Sequence, residues 1–370
     1  MSKYNQAYAV PVSAPPIVQG YAVNNGSTSD SSPRVYGGRD PTYDVAGKQY
    51  LMNEGFPSGL ADTMISNLNK CTERFFVIDD SGSMSTPDGN RLEQTSRGLQ
   101  RINCSRWNEL KPQILWHAKF ANIAQAKTEF RLLNGAEPIV IGDKEDDGNT
   151  LRLFQTIMES GPRGLTPLCK HINEIARKIR QMAPRLRQNR ELAVVTVYSD
   201  GVASDGTLSS VIRSLEGLPV WIVIRLCTDS EDVVNYWNDI DQNVELELDV
   251  LDDLFGEAEE VMSVNKWLVY GNPLHKLREF GIPKKELDLL DEAKLPPDCI
   301  REVLAMILGG KRDDYPHPQV DPRALMAKVK EMLTHTPNTI NPLAYRRGPQ
   351  PWINLNKLAS QYGGSNCTIM

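Results

Sequence analysis

The sequence predicts an α/β protein built on a doubly wound, mostly parallel sheet with helices on both faces. Three observations predict it. Short runs of consecutive apolar residues, "FFVI" (75–78), "LAVVTV" (192–197) and "VWIVI" (220–224), lack the alternation of a half-exposed strand, as strands covered on both faces do. Helical stretches separate them, the cleanest carrying Ile172, Ile175, Ile179, Met182 and Leu186 at steps of three and four. Aspartates stand at the ends of two of these strands, Asp79 and Asp200, where open α/β sheets bind their ligands.

Bulk composition sets the frame. Hydrophobic residues at 40% and charged ones at 24% place the chain among ordinary soluble globular proteins. Its 370 residues exceed one average domain, so a large domain with appendages, or two domains, is expected. A formal net charge of −6 speaks against a nucleic-acid partner. The six cysteines form no C-x-x-C pair, which excludes a RING or zinc-ribbon module and leaves no disulfide framework. No apolar run approaches the length of a membrane span, and "MSKYNQAYAVPVSAPPIVQG" lacks the apolar core of a signal peptide. A cytoplasmic location is the expectation.

Taken in order, residues 1–46 are rich in Pro, Gly, Ser, Asn and Tyr and read as a disordered tail. Leu60, Met64 and Leu68 mark a helix within 47–70, packed beside the main domain. The strand "FFVID" (75–79) is followed by a polar loop. "SRWNELKPQILWHAKFANIAQAK" (105–127) reads as helix, with Pro112 opening its longer second part. Strands are expected at 129–134 and 138–142, then the helix from Thr166 to Leu186 and a strand at 191–201. A helix over 207–218 closes at Gly217, ahead of a strand at 219–227. A further helix spans 230–240 with Ser230 as cap. Residues 245–252 read as an edge strand and 257–267 as a closing helix. Beyond it, Leu304, Ile307 and Leu308, then Leu325, Val329 and Leu333, predict packed helices in an extension over 271–345. A flexible tail is expected over 346–370.

The oxygen-rich loop after the first strand points to a metal. Asp79, Ser81 and Ser83 alternate through a loop that Gly82 can bend, so their oxygens can face one point. Thr166 stands in "RGLTPL" just before the long helix, with Pro167 at its first turn. Asp200 joins from a neighbouring strand end. Two carboxylates and three hydroxyls make an all-oxygen site of low charge, suited to Mg²⁺, with Mn²⁺ or Ca²⁺ able to use the same ligands. Asp80 reads as a solvated neighbour, and Asp205 as a cap for the helix starting near Thr207.

These residues also carry a resemblance. Asp79-Asp80-Ser81-Gly82-Ser83 as D-x-S-x-S, Gly164-Leu165-Thr166-Pro167 as G-x-T-P and Ser199-Asp200-Gly201 as [ST]-D-G resemble, in order and separation, the metal-ion-dependent adhesion site of von Willebrand factor A domains. The likeness covers roughly residues 70–270, so the domain is placed at 71–270. It implies a Rossmann-like fold in which Asp79, Ser81, Ser83, Thr166 and Asp200 hold the metal, the aspartates directly or through water. It also implies an open coordination position that accepts an Asp or Glu carboxylate from a partner protein. Intracellular relatives such as the copines join this domain to membrane-binding modules. Others belong to ubiquitin ligase machinery, against which the missing cysteine pairs argue here.

Two other readings compete. A phosphoryl-transfer hydrolase of the haloacid dehalogenase type also ends its first strand in aspartates with Mg²⁺. That chemistry needs D-x-D, and Ser81 occupies the place of the second carboxylate. G-x-S-x-G and G-x-x-x-x-G-K-[ST] are both absent, and "LGGKRDD" has the wrong spacing for a phosphate loop. His117, His171, His275, His317 and His335 are scattered and read as surface or packing residues. No catalytic residue is expected, and the chain is not expected to be an enzyme. The third reading is a scaffold whose metal is purely structural. Lastly, "CTIM" fits the C-a-a-X rule, so a farnesyl group on Cys367 and a weak membrane association through that one lipid are expected.

Overall fold

The computed structural model describes residues 40–143, 149–228 and 248–362, with residues 230, 233, 236, 237, 240 and 246 between the last two stretches. The chain enters through α1 (Pro41–Asn53) and α2 (Ser58–Asn67) and reaches β1 (Cys71–Ile78). A hairpin, β2 (Gly89–Thr95) and β3 (Gly98–Cys104), precedes α3 (Arg106–Ile123). Then come β4 (Thr128–Leu132), β5 (Ile139–Ile141), α4 (Asn149–Met158), α5 (Leu168–Asn189), β6 (Leu192–Ser199), α6 (Leu208–Arg213), β7 (Val220–Leu226) and β8 (Leu248–Leu251). Helices α7 (Leu254–Val264), α8 (Asn272–Glu279), α9 (Lys285–Glu292), α10 (Pro297–Leu308) and α11 (Pro322–Leu333) follow. A two-residue pair, β9 (Thr339–Ile340) and β10 (Pro349–Gln350), leads into α12 (Leu355–Tyr362).

The central sheet has the strand order β5-β4-β1-β6-β7-β8. Only β5 runs antiparallel within it. The expected α/β architecture, doubly wound with helices on both faces, is therefore observed. Alternate residues serve opposite faces, as a pleated strand requires. Phe75, Val77, Val195, Val197, Ile222 and Ile224 meet Leu168, Ile172, Ile175 and Ile179 of α5. Phe76, Ile78, Phe130 and Tyr198 join the other core, with α2, α3 and α8. From β1 the chain first builds outward through β4 and β5, then returns to place β6 on the opposite side of β1. The carboxyl ends of β1 and β6 thus flank the point where the strand order reverses, which is where such sheets open a crevice.

Several expectations need correction. The expected tail 1–46 is helical from Pro41, because Asp40 accepts the Thr42 amide and Pro41 opens the first turn. Residues 47–70 hold parts of two helices, parted at Gly55 with its φ of 85°. The loop before α3 is a hairpin, and α4 was not anticipated. Helix α3 runs unbroken through Pro112. The carbonyl of Asn108, which the missing proline amide would have served, accepts Arg91 Nη1 at 3.1 Å instead. Of the expected helix at 230–240, residues 233, 236, 237 and 240 are described and helical, while its other residues except 230, residues 1–39 of the expected tail and Cys367 lie outside the described residues.

The largest correction concerns residues 346–362. The helices over 271–345 are present and packed on the main domain, but the described chain beyond 346 is no flexible tail: it pairs as β10 and forms α12. Helix α8 lies against the sheet: the Phe280 ring packs on Phe120 at 5.2 Å and on Phe76 at 6.5 Å. The buried Glu279 carboxylate lies 3.0 Å from His117 Nε2, 3.4 Å from His275 Nε2 and 3.6 Å from Arg225 Nε. Trp352, Ile353 and Leu358 are buried in the same core. Periodicity could show that these helices have an apolar side, but not that the sheet supplies the partner of α8 while α2, α7 and one another supply those of the later helices.

Two predictions follow from this packing. A chain ending at Tyr270 should lose cooperative urea unfolding and bind the dye ANS, whereas a separable appendage would leave a sharp transition. Lys276 is the second case. Burial beside the Trp116 ring, 4.2 Å away, pushes its ammonium down to about 8 from 10.5, with Glu54 and Glu279 opposing. Between those values the unfolded chain binds more protons, so stability rises with pH by up to roughly 3 kcal/mol. Lys276→Met should remove that rise in denaturation series between pH 8 and 10.

Candidate metal centre

Strand β1 delivers Asp79 to the reversal point. Its N–H donates to the Tyr198 carbonyl of β6 at 2.9 Å, and its side chain is fully buried. Two hydrogen bonds hold the carboxylate. Oδ1 accepts the Ser81 amide at 2.9 Å, an Asx-type turn, and Oδ2 accepts Ser199 Oγ at 2.7 Å. Burial raises the Asp79 pKa; hydrogen bonds from Ser81 and Ser199 pull it down, and the nearby Asp200 charge pushes it up.

The chain then tightens into a 3₁₀ turn over Gly82–Ser85. Ser81 Oγ lies 3.0 Å from Ser83 Oγ, and Ser83 Oγ donates to Asp200 Oδ1 at 2.9 Å. Asp79, Ser81, Ser83 and Asp200 are thus joined in one hydrogen-bonded cluster, although the last lies 117 residues beyond Ser83.

Thr166 is brought alongside by its backbone. Gly82 N donates to the Gly164 carbonyl at 3.2 Å, and Arg163 N donates to the Asp80 carbonyl at 2.5 Å, so the two loops touch. On the other side, Thr166 N donates to Ser204 Oγ and its carbonyl accepts Ser204 N, at 3.2 and 2.9 Å. Gly164 is required here: its φ is 80°, and a Cβ would stand 2.2 Å from Asn134 Oδ1. Among the described residues no hydrogen bond joins the Thr166 hydroxyl to the other four.

Two neighbouring aspartates depart from expectation. Asp80 is buried, not solvated: its Oδ1 accepts the Asn134 amide and Nδ2, at 2.8 and 3.1 Å. It ties the end of β4 to the loop after β1. Asp205 caps α5 rather than α6, accepting Cys169 N at 3.0 Å and Lys170 N at 2.8 Å. The residue at the start of α5 is Pro167, which has no side-chain oxygen, so the carboxylate comes from the loop after β6.

Residues that sequence reasoning passed over complete the site. Ser199, there a motif letter only, orients Asp79. Arg106, in the first turn of α3, places Nη1 2.8 Å from Asp200 Oδ2. Its Nε and Nη2 reach Asp88 at 2.8 and 2.6 Å. No local pattern could signal this contact, which spans 94 residues.

The donor set is all oxygen, with two buried carboxylates and adjacent hydroxyls, which fits a hard divalent cation and not a soft one. A second acidic group, Glu257, Glu260 and Asp291, also lies close together. Two of its carboxylates already have a cation: Arg278 stands 2.5 Å from Glu257 and 3.3 Å from Asp291. His171 and His117 are packing residues as expected, bonded to the Leu133 carbonyl and to Glu279. No protein-family model matches the chain, and comparison with curated proteins finds no match.

Ser199→Ala is the informative substitution. It leaves the buried Asp79 Oδ2 without its donor, so the cost should be about 1–3 kcal/mol in urea denaturation.

Proposed function

We propose that this chain is a Mg²⁺-dependent protein-binding module of the von Willebrand factor A type. One observation carries this: the oxygens of Asp79, Ser81, Ser83 and Asp200 form a single cluster at the reversal point of the sheet. In this reading Ser81, Ser83 and Thr166 offer hydroxyl ligands, and Asp79 and Asp200 hold the ion directly or through water. The bound ion would supply a Lewis-acidic position for a partner's Asp or Glu carboxylate. The chain's own residues do the rest. Ser199 and the Ser81 amide keep Asp79 aimed, Asp80 joins the loop to β4, and the Thr166 loop closes the third side.

The hydrolase reading is weaker on the same geometry. Asp80, the adjacent carboxylate, is occupied by Asn134, and Asp200 is held by Ser83 and Arg106. Ser81 stands where the D-x-D motif places its acid/base carboxylate, so binding without turnover is proposed. Cytoplasmic residence completes the proposal.

Titration calorimetry with Mg²⁺ and Mn²⁺ tests the metal. Binding in the micromolar to millimolar range is expected for the wild type and none for Asp79→Ala, with matching circular dichroism spectra for the two. Absence of binding by the wild type, or phosphatase activity that disappears in Asp79→Ala, would overturn the proposal.

A further inference from the structure

We propose that Glu257, Glu260 and Asp291 form a second cation site, in which a Ca²⁺ ion bridges α7 to α9. The site shares no residue with the cluster at the ends of β1 and β6, and it stands whether or not that cluster holds a metal.

The two helices bring acids together by their spacing. Helix α7 carries Glu257 and Glu260 three residues apart, and α9 carries Asp288 and Asp291 at the same interval. Residues at that interval are neighbours on a helix surface, where like charges repel. The helices pack on each other, which adds to the repulsion. One oxygen from each of Glu257, Glu260 and Asp291 lies within 4.8 Å of the other two. Oxygens that share one Ca²⁺ at about 2.4 Å stand at most about 4.8 Å apart. The three acids therefore lie within the span that one ion can bridge.

Arg278 does not balance this charge. Its guanidinium meets Asp249 at 2.9 Å, Glu257 at 2.5 Å and Asp291 at 3.3 Å, one positive charge against three carboxylates. Glu260 adds a fourth and forms no ion pair among the described residues. The contact with Arg278 thus explains where Glu257 and Asp291 sit, and leaves the cluster strongly negative.

Asp291 is the residue that calls for a ligand. Its side chain is only 10% exposed. Oδ2 accepts Arg278 Nη2, while Oδ1 is buried with no hydrogen-bond partner among the described residues. A carboxylate oxygen stripped of water and left without a donor is costly. Ionised Glu257 and Glu260 are acceptors too, so neither can supply the missing donor. A cation answers all three at once. Glu257 is already aimed: Oε1 accepts Arg278 Nη1 and Oε2 accepts the Asp252 amide at 3.0 Å, and each oxygen keeps a further lone pair. Glu260 is exposed, which gives an ion a way in from solvent and leaves room for water ligands. The all-oxygen set selects a hard ion. A glutamate held in place by two donors suits the irregular coordination of Ca²⁺ better than the strict octahedron of Mg²⁺.

The test uses the full chain carrying Asp79→Ala, so that the first cluster does not contribute. After stripping with EDTA, titration calorimetry should show one Ca²⁺ bound per chain, no Mg²⁺, and no Ca²⁺ once Glu260→Gln and Asp291→Asn are added. Glu260→Gln alone, an exposed and isosteric change, supplies a second readout. In EDTA it should raise the melting temperature, because an uncompensated charge is removed. In saturating Ca²⁺ it should lower the melting temperature relative to the Asp79→Ala parent. A rise in both conditions would mean an acidic cluster without an ion and would overturn the inference, as would Ca²⁺ binding that survives the Glu260 and Asp291 substitutions. Wild-type binding at one site that Asp79→Ala abolishes keeps the first metal reading and sinks this one. Ca²⁺ binding lost only with the Glu260 and Asp291 substitutions, in a wild type that binds no Mg²⁺, does the reverse.

Discussion

The parallel pairing of β1 with β6 is the constraint on which the site depends. Their register sets Phe76 beside Thr196 and Ile78 beside Tyr198, so the two strands end within a residue of each other, with Asp79 beside Ser199 and Asp200 next along the chain. Two ionised carboxylates in a buried place repel each other and lose hydration. Serine hydroxyls, a backbone amide and one guanidinium answer that cost, which is why the loops around the strand ends are crowded with hydrogen bonds. The strand order adds a crevice at this same edge, because the connections from β1 and from β6 lead away in opposite directions.

Behind the site, the sheet face toward α8 is unusually polar for a core. Arg225 reaches Glu109 of α3 at 2.6 Å and Glu279 of α8 at 3.6 Å. Arg278 gathers Asp249, Glu257 and Asp291 around one guanidinium. Such pairs add little net stability, but removing one partner strands a buried charge at about 3–5 kcal/mol. A shifted docking of α8 would strand these charges, so they favour the observed position as a register key. Glu109 extends the key toward the front, since its second oxygen accepts the Asn90 amide of the β2–β3 hairpin. A continuous path of ion pairs and hydrogen bonds thus runs from α8 to the hairpin beside Asp88 and Arg106.

Helix α3 shows how a local rule can be overruled. Pro112 signals a start or a break, and in isolation the helix would pay for the lost hydrogen bond. Arg91 from the hairpin satisfies the freed carbonyl, and Trp107, Leu110 and Ile114 on either side of the proline are buried. Asp205 is a second instance. Proximity in sequence assigns it to α6, yet α5 begins with a proline that cannot cap, and the nearest carboxylate in space takes the place.

The strands of the central sheet, the long helix α5 and the carboxylate-hydroxyl loop were legible from the residues alone, because each depends on a period of two or three to four residues or on neighbours within five. Asp79, Ser81, Ser83 and Asp200 were named for the same reason, as ends of strands already recognised. The pairing of Arg106 with Asp200, the burial of Asp80 under Asn134, and the choice of the sheet as the partner of α8 and of α2 as the partner of α10 were not legible. Each joins residues from tens to more than a hundred positions apart, and folding, not local pattern, chooses which distant partner satisfies a buried charge or an apolar face.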